Sequence, residues 1–432
     1  MGFPVMRLLS FFLIFLAPAL VCRSSPAQNA NQDRQAIEQA LSAYKAGDLM
    51  AAVSQLRGLH RKHPKDPEIR LYLGLILYER NSADPEARGL LESVADHYAG
   101  NRELQLKLMD SYLAGGDQPA ALARLERIQG MLDRDHRAAF QVIYLLVRYG
   151  LSVPAAGQVE RVSVRVSESM QKLPESERTS QAGKSLVREA AEVDFIRGLL
   201  AAGADNKAEA MGLLQRADRH DFPPRNSYQM VMLADCLVRL GELKLAAQGY
   251  EEYLKNHPGD DAAQMRAGDN YYALGSFEKA RACYERVRKR NPRFPMVDYA
   301  LGKVLLDLKE TDESERFIRE SLKSDPKCAP CLAKLAHIEY LRGHNEECRQ
   351  LLGKAAALDP EWTETHLVYG LLYNRLGEYK LAVENFARVI ERDPEYATAH
   401  FQIALAYQRS GNAQKAKEHR EIYNRLIAPK KQ

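Results

Sequence analysis

Apolar and small positions in the second half of this chain follow a helical spacing that restarts every 34 residues. Prolines stand at Pro224, Pro258, Pro292, Pro326, Pro360 and Pro394, in equal steps. With each proline numbered 32, position 8 is small: Ala234, Gly268, Gly302, Ala336, Gly370 and Ala404. Position 20 is small too, with Ala246, Ala280, Ser314, Cys348, Ala382 and Ala416. Position 24 carries Tyr250, Tyr284, Ile318, Leu352 and Phe386, and Arg420 in the last unit. Position 15 reads Gly241, Gly275, Lys309, Gly343, Gly377 and Gly411. Two small sites let a pair of helices cross closely, a large residue fills the crossing, and glycine takes the positive φ of a turn. Proline ends the second helix, because it lacks an N–H and crowds the preceding turn. The pattern predicts an all-α chain of helix–turn–helix units, each hiding its apolar face only against its neighbours.

These residues resemble the tetratricopeptide repeat, whose period is also 34. The resemblance implies a right-handed α-α superhelix (solenoid) of about eleven repeats, one or two of them degenerate. One family feature is missing: position 4 lacks its aromatic and reads Met230, Gln264, Asp298, Leu332, His366 and His400.

The frame extends towards the N-terminus with interruptions. Ala40, Gly47, Ala52, Leu56 and Pro64 form a first repeat, beginning near Asp33. A second has Leu73 and Gly74, then a one-residue slip that places Ala87 and Leu91 at the packing sites. A third has Gly116, Ala121, Leu125 and Ile128. The phase is then lost. Two helices, His136–Tyr149 and Pro154–Lys172, precede a polar stretch, Leu173–Lys184, expected as a loop or frayed end. Gly198, Ala210, Leu214 and Ala217 restore the frame. The expected organisation is N-terminal repeats over 28–135, a degenerate repeat and joint over 136–190, and C-terminal repeats over 191–432. The last helix, Ala413–Leu426, is polar enough to cap the stack.

Residues 1–27 read as an export signal: Arg7, an apolar core over Leu8–Ala17, then Ser25 and Ala27 before Gln28. The core is too short to span a bilayer as a helix. The chain is therefore expected to be exported, periplasmic or secreted, and membrane-anchored if the signal is retained. An alternative in which Cys22 is lipid-modified is disfavoured, because Val21 is not small. No later apolar run is long enough to cross a membrane. The net charge of +4 predicts neither nucleic acid nor an anionic membrane as partner.

Few residues suggest chemistry. Gly183-Lys184-Ser185 ends like a phosphate loop, but Arg178 stands where the first glycine belongs and no strand precedes it. His60-Arg-Lys-His63 is a basic helix end that complements the helix dipole. Cys328-Ala-Pro-Cys331 has the spacing of redox and zinc motifs. Cys348 lies too far along the helices to share a metal with that pair. Packing thiols is the favoured reading. A local disulfide and a redox or metal centre at Cys328 and Cys331 are the alternatives. No catalytic residue and no cofactor is expected.

The resemblance implies that positions 2, 5, 9 and 12 of the first helices line a binding groove. For the C-terminal repeats this gives Tyr228, Val231, Asp235, Met265, Asp269, Tyr272, Tyr299, Lys303, His337, Tyr340, Leu367, Leu371 and Phe401. In the N-terminal repeats the same positions hold Ile37, Leu41, Tyr44, Leu71, Leu75, Tyr78, Leu106, Asp110 and Leu113. Such a face suits a protein or peptide with an apolar segment, with Asp235 and Asp269 favouring a basic residue on it. Tyr272 and Tyr340 are expected to serve the partner and not the packing. A Lys/Asn/Arg clamp for terminal carboxylates, known in some relatives, is not expected: Met265, Asp269, Ala300, Pro330 and Lys334 stand at its positions, and only Lys334 keeps the charge. The overall expectation is a non-enzymatic exported scaffold.

Overall fold

The computed structural model describes residues 27–223 and 227–428. The expected signal, Cys22 included, lies outside them but for Ala27, which opens the first helix. The chain divides at Pro224 into two compact units. The first contains α1 (Ala27–Lys45), α2 (Leu49–Lys62), α3 (Pro67–Arg80), α4 (Pro85–Val94) and α5 (Arg102–Ala114). It continues with α6 (Gln118–Leu132), α7 (His136–Arg148), α8 (Ser152–Lys172), α9 (Gln181–Gly203) and α10 (Lys207–Asp218). The second contains α11 (Tyr228–Arg239), α12 (Leu243–Asn256), α13 (Asp261–Ala273), α14 (Phe277–Arg290), α15 (Val297–Asp307) and α16 (Thr311–Ser324). It ends with α17 (Ala329–Arg342), α18 (Asn345–Leu358), α19 (Thr363–Leu376), α20 (Tyr379–Arg392), α21 (Ala397–Arg409) and α22 (Ala413–Ile427). No strand occurs among the described residues. The helices form consecutive antiparallel pairs, as the 34-residue pattern requires.

Each pair is locked by one close crossing. A Cβ added to Gly268 would lie 2.5 Å from the Tyr284 ring, and one on Gly370 would lie 2.6 Å from Phe386. Position 8 is therefore small so that position 24 can fill the crossing, and Tyr284 and Phe386 are fully buried there. The same contact joins Gly74 to Leu91 and Gly198 to Leu214, so the slip in the second repeat preserves the crossing. At position 20, Ser314 Oγ donates to the Gly302 carbonyl at 2.7 Å. The turns at position 15 all take positive φ. Lys309, at φ 68°, adopts the conformation that glycine adopts in the other five, at a cost of about 1 kcal/mol for a residue with a Cβ.

Position 4 also has a role. His366 Nε2 donates to the Pro360 carbonyl at 2.8 Å, and His400 Nε2 to the Pro394 carbonyl at 3.0 Å. These buried rings satisfy backbone oxygens just beyond the preceding helix, which would otherwise lack a partner.

The region of lost phase is more regular than expected. Residues 136–175 form the pair α7 and α8, closed by a one-turn 3₁₀ helix at Glu175–Glu177. The stretch Gln181–Lys184 is not loop but the first turn of α9. Ser180 caps it, accepting from the Gly183 N–H at 3.3 Å. The Arg178 carbonyl presses on Gly183 where any side chain would collide. Gly183 is thus required by packing, and the 176–190 stretch lies inside the first compact unit. At the other end, α22 buries only Ala416, and Arg420 is exposed.

Candidate functional site

In the second unit, α11, α13, α15, α17, α19 and α21 contribute one face. Of the thirteen expected groove residues, Val231 is fully buried and belongs to the core, and Asp269 is exposed. The other eleven are half-buried. Leu367 and Leu371 pack against the Phe386 cluster, and Tyr340 against Cys348, Leu352 and Leu372. Phe401 is covered on one side by Tyr423 of α22, with ring centroids 5.2 Å apart.

The polar members are tied to neighbouring repeats. Asp235 receives hydrogen bonds from the Tyr250 hydroxyl and from Arg266 Nη1, the latter at 2.5 Å. Burial still holds its carboxyl above the ordinary value, with Arg266 opposing. Asp269 accepts from the Tyr284 hydroxyl at 2.7 Å. Tyr272 donates to Asp307 at 2.5 Å, and its ring carries the Lys303 ammonium 3.9 Å from the centroid. Burial holds Lys303 below the usual lysine value, opposed first by Asp269. His337 lies below its usual value chiefly through burial and secondly through Lys334. Arg375 of α19 covers the Tyr340 ring at 3.6 Å.

Two expectations change here. Asp235 is already met by Arg266, so it does not call for a basic partner. Tyr272 and Tyr340 bridge consecutive first helices, so they serve packing as well as any partner. Of the residues that do this bridging, Arg266, Asp307, Glu364 and Arg375 were missed in the sequence, and Lys334 was weighed only for the clamp. Lys334 is buried and paired with Glu364 of α19, which leaves it no free charge for a clamp. A signal for them exists. Opposite charges recur just short of one period apart, as in Arg281 with Glu310, Arg342 with Asp312 and Arg392 with Glu361.

The first unit treats the equivalent positions differently. Ile37, Leu71, Leu75, Tyr78, Asp110 and Leu113 are buried, and only Leu41, Tyr44 and Leu106 are half-buried. Asp110 accepts from the hydroxyls of Tyr78 and Tyr149, the latter at 2.9 Å. Tyr144 donates to Glu192 at 2.8 Å, and His136 pairs with Glu189 at the same distance.

Cys328 and Cys331 are bonded to each other and are not packing thiols. Cys236, Cys283 and Cys348 are free and buried. No group of three or more His, Cys, Asp or Glu side chains able to hold a metal occurs among the described residues. None of the described helices is long and apolar enough to cross a membrane.

Tetratricopeptide-repeat family models match residues 37–102, 230–260 and 265–327, and a TPR-repeat model matches 370–411. The chain is built of tetratricopeptide repeats, a class that serves as protein-interaction scaffolds. Among curated proteins, human FK506-binding protein-like is 36% identical over 90 residues, 21% of this chain and 26% of that protein. Human Tetratricopeptide repeat protein 21A is 29% identical over 140 residues, 30% of this chain and 10% of that protein. The chain thus spans 26% and 10% of the length of these two relatives. Among solved structures, a tetratricopeptide repeat protein from Parabacteroides merdae is 18% identical, with a TM-score of 0.47, over 56% of this chain and 94% of that one. The APC/C hetero-tetramer Cut9–Hcn1 is 12% identical, with a TM-score of 0.43, over 92% and 94%. These likenesses carry no inference about function.

Proposed function

We propose that this chain is an exported, non-enzymatic scaffold that holds an apolar helix or extended segment of a protein partner on the first-helix face of its second unit. The observation that carries this reading is the run of half-buried apolar and aromatic side chains from Met265 through Tyr299, Tyr340, Leu367 and Leu371 to Phe401. Large side chains held half-open on a rigid helix bury much area on contact and lose little rotamer freedom. The charges on this face are answered within it, so binding should depend little on moderate salt. Export rests on the signal-like residues 1–27, with the mature chain starting at or near Gln28.

Photo-cross-linking in the native host tests the binding reading. A photoreactive residue at position 371 should capture an apolar segment of one protein, and one at position 384, on a second helix, should not. Capture from 384 alone would move the partner off this face. N-terminal sequencing that found Met1 intact in a membrane fraction would refute cleavage.

A further inference from the structure

The scaffold reading leaves the bonded pair Cys328–Cys331 without a role. Cys328 caps α17: its Sγ accepts the Cys331 N–H at 3.2 Å. At the same repeat position, Asp66 and Asp260 cap α3 and α13 by accepting from Ile69 N–H at 3.1 Å and Ala263 N–H at 3.0 Å. In this repeat a sulfur stands where two others place a carboxylate, while Trp362 and Tyr396 hold the position without a side-chain cap. The first-turn amides and the helix dipole there favour negative charge.

The two sulfurs are not equivalent. Cys331 is completely enclosed, with Ser321 Oγ 3.3 Å from its Sγ. Cys328 is 4% exposed and directly follows the exposed turn Asp325–Lys327. The ring they close spans few residues, so it removes less chain entropy from the unfolded state than a bond across a long loop would.

We propose that Cys328–Cys331 is a reversible thiol–disulfide exchange site that takes two electrons from a dithiol reductant, with Cys328 as the outer, exchanging sulfur. A thiolate of the reductant attacks Cys328 Sγ. The Cys328–Cys331 bond breaks, and Cys331 leaves as a thiolate that takes up a proton beside Ser321. The reductant's second thiol then attacks its own sulfur in the mixed disulfide and expels Cys328. The reductant departs as a disulfide, and two electrons and two protons have passed to the protein. The inference is independent of the scaffold reading, although Tyr299 packs against the core cluster that contains this sulfur pair.

The test uses the folded full chain, treated with dithiothreitol, alkylated with iodoacetamide without denaturant, and mapped by peptide mass. Cys328 and Cys331 should become labelled while Cys236, Cys283 and Cys348 stay unlabelled, with Cys328 faster by on the order of tenfold. With oxidised glutathione as probe, Cys331→Ser should form a mixed disulfide at Cys328. Cys328→Ser, which keeps a capping side chain, should leave Cys331 unmodified. Circular dichroism confirms that both variants fold. Labelling of the pair only in denaturant, together with the three buried thiols, would overturn the proposal, as would modification of Cys331 ahead of Cys328.

Discussion

The two units use one repeat frame and treat its first-helix face in opposite ways. In the first unit the face is filled: Leu71, Leu75 and Tyr78 are buried, and Asp110 is closed in by two tyrosine hydroxyls. In the second, Leu371, Tyr299, Tyr340 and Met265 stand half-open, and charges such as Arg266 with Asp235 bridge from helix to helix. The difference teaches that the repeat frame fixes the crossing of each helix pair but not the packing of one first helix on the next. On this face the first unit buries its apolar side chains in its own core, and the second leaves them half-open.

The sharpest way to break this comparison is to truncate the same repeat position in both units. Leu75→Ala should destabilise the first unit by about 2–4 kcal/mol, because it opens a cavity in a closed core. Leu371→Ala should cost about 1 kcal/mol or less, since solvent and neighbours already share that site. Denaturant titration followed by exchange at each unit's own helices separates the two. Equal losses would erase the distinction.

A second difference concerns charge shut inside the first unit. Burial pushes the Glu192 carboxyl up to about 7, opposed by the Tyr144 hydrogen bond. Its folded value lies above its unfolded one. Stability from this group is therefore present below an unfolded value near 4.3 and lost as pH rises through about 7. Glu192→Gln, with the Tyr144 bond still possible, should stabilise the first unit by about 2 kcal/mol at pH 8 and by little at pH 4. A pH-independent effect would remove the charge from the account.

The second unit titrates at its end, in the opposite sense. His400 Nδ1 lies 3.1 Å from His419 Nδ1, and His400 Nε2 is already donating to Pro394. Burial, then His400, holds His419 below the ordinary histidine value, with Glu418 opposing and Lys415 adding to it. The neutral ring is the one the fold favours, so this contribution is complete above about pH 6.5 and lost as pH falls below it. Protection of α22 amides, taken relative to their intrinsic exchange at each pH, should fall at pH 5. In the preceding repeat Asn385 stands in the place of His419, beside His366 at 3.2 Å. His419→Asn should therefore remove most of the pH effect while costing about 1 kcal/mol or less at pH 7.5. An unchanged pH profile in that variant would place the titration elsewhere.

The smallest effect belongs to a turn. Lys309→Gly should raise the stability of the second unit by about 0.5–1 kcal/mol, since it relieves positive φ at a residue that carries a Cβ. Loss of stability there would mean that the Lys309 side chain holds the turn.

Much of this architecture was legible because it is periodic. Prolines, small residues and knobs at fixed positions specify the crossings, and the slip at Ala87 and Leu91 was readable for the same reason. Helix Gln181–Gly203 was harder to read, because its first turn is polar and its glycine at 183 answers a backbone contact with Arg178 that no local pattern announces. The candidate face was legible by position but not by degree of burial. Val231 and Leu371 are both apolar groove positions, yet only Val231 is fully covered by its neighbours. The bridging partners of Asp235 and Tyr340 escaped because they pair across nearly a full period, between residues on different helices.

The central claim is that the open face of the second unit, and not the filled face of the first, receives the partner. Hydroxyl-radical footprinting of the chain, free and bound to the partner captured in the host, tests it most directly. Protection of Tyr299, Tyr340 and Leu371, with Leu75 and Tyr78 unreactive in both states, is the predicted result. Protection confined to the second helices, or to α3, α5 and α7, would contradict the account.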